Sequence, residues 1–480
     1  MPADPTVPKD SPLDAPPPIP RRAWFALALA ASSYVVVLDS IGVSVAFAEI
    51  EAAFPATART TLAWVSTGFS IALAAMLLLG GRLADRYGRR RIFLTGTGVY
   101  LVGAFISTAA PTPAVLIGSR VIQGSGGALM TATAIALALP EFPERHRGLA
   151  MGWLGAGGAM ASVLGPILGS TMVDLVGWRG AFAMTIPFCA LTMVFGHRLL
   201  RESEISAHPG RLDLPSVGVG IASVALFTLA IIQGRTWGWG SAPTLGSFAI
   251  SIGLFPVFVH RSATADTPLL ALSVFANRRF TVATIAQLGT QTGIFAWFFA
   301  TPLFLQNIWG WSPVEAGWAL ALAMMLGFIS IPAGRWADRR GYRSVLALGA
   351  LIPALGMGWW IIALDGQSDL GVGLVPGLVL FGAGAGIVGV PGTGAALVGV
   401  SNTDLGMANA AHQTTRRTVQ ALGVAAAVAI LGSRDNDSVA SFKWVWALTL
   451  LGYLFSALVI AVAYPADREP HDATARPRGL

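Results

Sequence analysis

A chain of 480 residues that is 54% hydrophobic and only 11% charged cannot clothe a water-soluble surface, since soluble domains carry about a quarter charged residues. Its formal charge of +7 does not point to nucleic acid, because Lys and Arg fall in short runs between apolar stretches and not on one basic face. The one cysteine, Cys189, leaves no disulfide within the chain and no thiolate metal site, so it reads as a small apolar residue.

Residues 1–23 are polar and proline-rich, which predicts a disordered cytoplasmic tail and no cleavable leader. Beyond it, apolar stretches of about 20 residues, enough to cross a bilayer as helix, recur along the whole chain. The first six fall at 24–48, 62–83, 92–110, 114–137, 149–173 and 179–197. Two more follow at 214–233 and 243–260, and a last six at 280–305, 313–334, 344–364, 372–399, 406–432 and 443–464. Fourteen such spans predict an all-α membrane protein, because membrane barrel strands are only about ten alternating residues. With the N-terminus inside, 22 of the 31 Lys and Arg lie in cytoplasmic loops and tails, which predicts both termini in the cytoplasm.

Span 1 carries Asp39, the one acid placed deep within a span. A carboxylate there costs about 2.5–3.5 kcal/mol on insertion scales, so it needs a use or a partner. Desolvation favours its neutral form and a nearby cation its charged form. Arg120 of span 4 lies at similar depth and cannot itself release a proton. The expectation is a proton-coupling pair; a permanent ion pair is the plainer alternative.

After span 2 comes Gly81-Arg-Leu-Ala-Asp85-Arg86-Tyr-Gly88-Arg89-Arg90, and it returns as Gly334-Arg-Trp-Ala-Asp338-Arg339-Arg-Gly341-Tyr-Arg343. Two six-span halves would set the copies about 190 residues apart, so the longer separation implies two inserted spans. The expected units are an N-terminal bundle at 24–200, a linker with two inserted helices at 201–279, a C-terminal bundle at 280–464 and a cytoplasmic tail at 465–480. Gly81 and Gly88 suit a tight turn and close helix approach, and the arginines suit lipid phosphates or helix C-termini.

Span 4 reads Leu116-x-x-x-Arg120-x-x-Gln123-Gly124, and span 5 reads Gly165-Pro166-Ile-Leu-Gly169-Ser170. Proline there would bend the helix, as a static kink or as a hinge. Gly177-Trp178-Arg179-Gly-Ala-Phe182 opens span 6. Span 9 sets Gln287 and Gln291 on one face, with Trp297 beyond, which suits a ligand pocket or interhelical hydrogen bonds. Span 13 holds His412, Arg416 and Arg417. Around a cavity these would disfavour a permanent cation, although one arginine and His412 could instead snorkel to the interface. Trp64 and Trp178 read as interface anchors.

Together these stretches resemble the major facilitator superfamily, and within it the fourteen-spanner drug:proton antiporters. The resemblance implies two six-helix halves plus two inserted helices. It implies a conformational latch at Gly81, Asp85, Arg86, Gly88, Arg89, Asp338 and Arg339, and proton coupling at Asp39 and Arg120. It implies an antiporter bend at Gly165, Pro166 and Gly169, where Ser170 replaces a family glycine. A substrate cavity would take Gln123, Gln287, Gln291, Trp297, His412 and Arg416. The implied activity is export of small hydrophobic or amphipathic compounds in exchange for protons. It needs no cofactor or metal, and the protein would work as a monomer in the lipid of the cell (inner) membrane. Uptake on the same fold and a non-transporting scaffold stay open. Neither GxxxxGK[ST], HExxH nor GxSxG occurs, which argues against ATP-driven export and hydrolysis.

Overall fold

The computed structural model describes residues 19–143, 147–202, 214–264, 272–367, 369–400, 405–433 and 437–465. Every regular element among them is helical. The N-terminal half comprises α1 (Arg21–Ala53), α2 (Trp64–Tyr87), α3 (Arg89–Ala109), α4 (Pro113–Ala138), α5 (Arg147–Val176) and α6 (Gly180–Leu199). Next come α7 (Leu214–Trp237) and α8 (Ala242–Thr264). The C-terminal half comprises α9 (Arg278–Asn307), α10 (Pro313–Ala337), α11 (Tyr342–Ala363), α12 (Leu370–Leu397), α13 (Leu405–Leu431) and α14 (Val439–Ala463).

Thirteen of these are both long and apolar enough to cross a membrane. The remaining one, α13, has 27 residues, so at 1.5 Å per residue it also exceeds a core about 30 Å thick. Its apolarity is diluted by His412, Arg416, Arg417 and Gln420, of which His412 and Gln420 are buried in protein. Polar residues turned away from lipid are the expected exception.

Helix ends follow local chemistry. Asn277 accepts the Arg279 and Phe280 amides to start α9, and Ser312 with Glu315 forms a reciprocal cap on α10. Small residues bring the helices together. Gly289 of α9 faces Gly452 of α14, and a Cβ on either would overlap the other's carbonyl oxygen.

The halves meet where α2 lies against α13, α5 against α10, and α1 against α9. Helices α7 and α8 pair through reciprocal bonds, Ser223 Oγ to Ser251 O at 2.9 Å and Ser251 Oγ to Ser223 O at 2.7 Å. Only 17% of the apolar window of α8 is buried, against 78% in α9. The inserted pair is therefore peripheral, with α7 resting on α13 and α2. The repeated loop is a structural repeat as well: Gly88 and Gly341 join their helix pairs at φ 98° and 87°, a conformation that favours glycine.

Candidate functional site

Asp39 on α1 is completely buried and has two partners on α4. Arg120 Nη1 donates to Asp39 Oδ2 at 2.7 Å, and Gln123 Nε2 donates to Asp39 Oδ1 at 3.3 Å. Arg120 Nη1 also donates to Gln123 Oε1 at 2.7 Å, and its Nε to the Val65 carbonyl at 3.0 Å. Its guanidinium lies 4.1 Å from the Phe69 ring centroid and 5.4 Å from that of Phe182. A buried charge pair is tolerable only with its remaining hydrogen-bonding groups met in this way, and the aromatic faces add cation–π attraction.

The pair sits beside a cavity between the halves. Ser40, Ile41 and Ser44 of α1, Ser66, Phe69 and Ser70 of α2, and Arg120 form one wall; Phe295, Phe298 and Phe299 of α9 and Val424 of α13 form the other. Its volume is about 20 Å³, room for roughly one water. A larger concavity of about 690 Å³ runs over α3, α4 and α6 between Arg90 and Met193. It involves one half only, and neither Asp39 nor Arg120 lines it.

The C-terminal half holds a second polar cluster. Arg416 Nε donates to Gln291 Oε1 at 3.3 Å, Gln420 Nε2 to the same oxygen at 3.0 Å, and Arg417 Nη1 to Gln420 Oε1 at 3.2 Å. Gln287 Nε2 donates to the His412 carbonyl at 3.1 Å, and His412 Nδ1 lies 3.2 Å from Thr284 Oγ1. Gln287, Gln291, His412 and Arg416 are thus brought together between α9 and α13. Gln123 belongs instead to the Asp39 cluster. Trp297 stands apart from both, fully buried and stacked on Phe381 at 4.1 Å and Trp360 at 6.2 Å.

In the first copy of the repeated loop, the Glu202 carboxylate accepts the Arg90 and Arg91 amides at 2.9 and 3.2 Å, capping α3. Arg89 Nη1 donates to the Ala136 carbonyl at 3.3 Å, and Arg86 lies 5.6 Å from the Tyr87 ring. The close helix approach expected at Gly81 is not found: outside its own stretch of helix no described atom lies within 4 Å of where its Cβ would stand, and Gly334 repeats this. The side chains of Asp85, Asp338 and Arg339 lie outside the described residues.

On α5, Pro166 lies inside a continuous helix. Gly169 packs on Gly42 of α1, Gly165 on Ile41, and Ser170 against Gly317 of α10. The stretch therefore sits between its own half and the other.

One cluster was not expected from the sequence. Arg59 is buried with Glu51 at 2.6 Å and with Asp437, 378 residues away, also at 2.6 Å. Asn307 Nδ2 donates to Asp437 at 2.9 Å, and Gln306 Nε2 to the Val45 carbonyl at 3.0 Å. These bonds tie the halves at the end where α1, α9 and the α13–α14 connection meet. Nothing in a linear pattern announces a pairing across so many residues.

A sequence model of the Major Facilitator Superfamily matches residues 23–424 and 283–479. The cephamycin export protein CmcT of Amycolatopsis lactamdurans is 31% identical over 462 residues, 92% of each chain. The tetracenomycin C resistance and export protein of Streptomyces glaucescens is 30% identical over 431 residues, 89% of this chain and 79% of that one. Among solved structures, an auto-inhibited peptide transporter of the POT family superimposes with a TM-score of 0.68 over 95% of this chain and 99% of its own. At 13% identity that likeness is one of fold alone.

Proposed function

Since this chain belongs to the Major Facilitator Superfamily and is a secondary transporter of small hydrophobic or amphipathic compounds, we propose that it exports them in exchange for protons, with Asp39 as the proton carrier. The buried Asp39–Arg120 pair beside the inter-half cavity carries this reading. A charged Asp39 is held by Arg120 and Gln123 across α1 and α4. Protonation cancels that attraction and leaves Arg120 to Gln123, the Val65 carbonyl and the Phe69 ring. The preferred packing of α1 on α4 then depends on the proton, as a coupled cycle requires. Relatives named for antibiotic export or resistance support export over uptake.

In this reading the substrate enters between the halves, against Gln287, Gln291, His412 and Arg416, and Gln123 links that space to the proton site. The Gly165-Pro166-Gly169 stretch of α5 serves as the sliding contact. The loops at Gly81, Asp85, Arg86, Gly88 and Arg89 and at Asp338 and Arg339 latch the cytoplasmic ends. The protein works as a monomer in the cell membrane with both termini inside, following the excess of arginine in those loops.

The test is drug-driven proton movement in proteoliposomes. Asp39→Asn should abolish pH-gradient-driven transport while leaving substrate exchange without a gradient. Transport that remains driven by the gradient in this variant would remove Asp39 from the mechanism.

A further inference from the structure

The charges in the middle of the described spans do not balance. Asp39 is taken up by Arg120, whereas Arg416 and Arg417 form no ion pair with any described carboxylate. Each makes one described hydrogen bond, to a neutral glutamine oxygen, out of the five N–H groups a guanidinium offers. The two are adjacent on α13, and both are half-buried, so neither is closed off in packed core. One turn before Arg416, the imidazole of His412 is buried with no partner for its Nε2, and the buried Thr414 hydroxyl likewise has none. A cluster of unspent donors and uncompensated positive charge inside a membrane protein needs an anion to complete it.

Its place in the fold says where that anion comes from. Arg417, Gln420 and Val424 are spaced i, i+3 and i+7, hence on one stripe of α13. Val424 forms the wall of the central cavity opposite Arg120. The apolar lining of that cavity includes Phe295, Phe298 and Phe299 beside Val424, and Phe69 across from them. An aromatic surface two helical turns along α13 from a pair of guanidinium groups, about 10 Å away, matches a molecule with an apolar body and a carboxylate.

We propose that Arg416 and Arg417 form the anion-recognising part of the transport cavity, and that the substrates are amphipathic organic carboxylates. This rests on the reading of the chain as a transporter with its cavity between the halves. Gln291 and Gln420 position the two guanidinium groups and are themselves released to bind the neutral polar groups of the substrate. A permanently cationic drug is repelled from the same place.

The test is binding of three matched probes to the purified full-length protein in detergent by calorimetry. They are 2-naphthoate, its neutral methyl ester and 2-naphthylmethyl-trimethylammonium. Naphthoate should bind about tenfold or more tightly than the ammonium probe, roughly 1.4 kcal/mol. Arg416→Gln and Arg417→Gln should each lower naphthoate affinity about tenfold and leave the ester within about twofold. Arg417→Lys, which keeps the charge, should retain more than Arg417→Gln. Equal or tighter binding of the ammonium probe to the wild-type protein would overturn the proposal, and that comparison needs no variant to fold. So would naphthoate affinity that survives the double glutamine variant. Binding of the ester without naphthoate sinks the anion site and leaves the transporter reading intact. Failure of all three probes sinks the shared cavity itself.

Discussion

Removing Arg120 should harm the protein more than removing Asp39. Asp39→Asn keeps the shape and leaves Arg120 held by Gln123, the Val65 carbonyl and two aromatic rings. Arg120→Ala strands a completely buried carboxylate with Gln123 as its remaining described donor. Breaking a buried pair from one side costs about 3–5 kcal/mol. Thermal unfolding in detergent should therefore show Arg120→Ala clearly below Asp39→Asn, and adding Asp39→Asn to Arg120→Ala should recover much of the loss. Equal stabilities would mean that the pair carries little of the packing between α1 and α4. This pairing was legible in the sequence because a charge in a span demands a partner, and depth along two helices limited the choice. The aromatic faces around Arg120 were not legible, since they depend on how α2 and α6 are set beside α4. Trp297 shows the opposite failure. It follows Gln291 by six residues, so it lies roughly 240° further round the helix, within the C-terminal core. Phe295 and Phe298, four and seven residues on, share the Gln291 face, and they line the cavity. Helical phase alone would have picked them.

At the scale of elements, the departure at Ser170 is answered by a glycine on another helix. A Cβ on Gly317 of α10 would stand 2.6 Å from the Ser170 Cβ and 2.7 Å from the Pro166 carbonyl. Gly317→Ala should therefore pry α5 from α10 and cost about 1–3 kcal/mol, the usual range for overpacking. Adding Ser170→Gly should return part of that, but not all, because the Pro166 carbonyl remains. A double-mutant cycle read by thermal unfolding, alongside transport rate, measures the coupling. Additive losses would show that the two helices do not pack as described. The letters of this motif led to an expected bend at Pro166, and that proline lies inside α5. What the letters do not carry is the identity of the facing helix, which tertiary packing alone fixes. The repeated loop behaves similarly: Gly88 was legible as a turn residue and adopts positive φ, as does Gly341 in the second copy, whereas Gly81 has no close neighbour to explain it. The two-helix insert followed from the long separation of the repeats, and its peripheral seat follows from its lipid-facing composition.

For the whole molecule, the informative contact is the one between distant loops. Arg59 is enclosed with Glu51 and Asp437, one charge from each half facing a shared guanidinium, and Asn307 closes the group. The same end is held by Gln306 on the Val45 carbonyl. With the central cavity shrunk to about 20 Å³, no drug-sized molecule fits, since ligand pockets run to several hundred Å³. The conformation is one closed at the end where Arg59 lies, and opening that end must break the Arg59–Asp437 bonds and expose both groups to water. Such a seal sets the balance between states. If removing one partner costs the closed state about 3 kcal/mol, the ratio of open to closed rises by about a hundredfold. Asp437→Asn should therefore expose the cavity. Ser66, on the cavity wall, offers a reporter: with Ser66→Cys, an impermeant maleimide added from outside should react slowly in the otherwise unaltered protein and many-fold faster with Asp437→Asn. Cys189 is buried and adds little background. Equal labelling rates would mean that some other contact holds the Arg59 end shut. A faster rate with unchanged or lower net export is the expected companion result, because a transporter biased to one side of its cycle returns more slowly to the other.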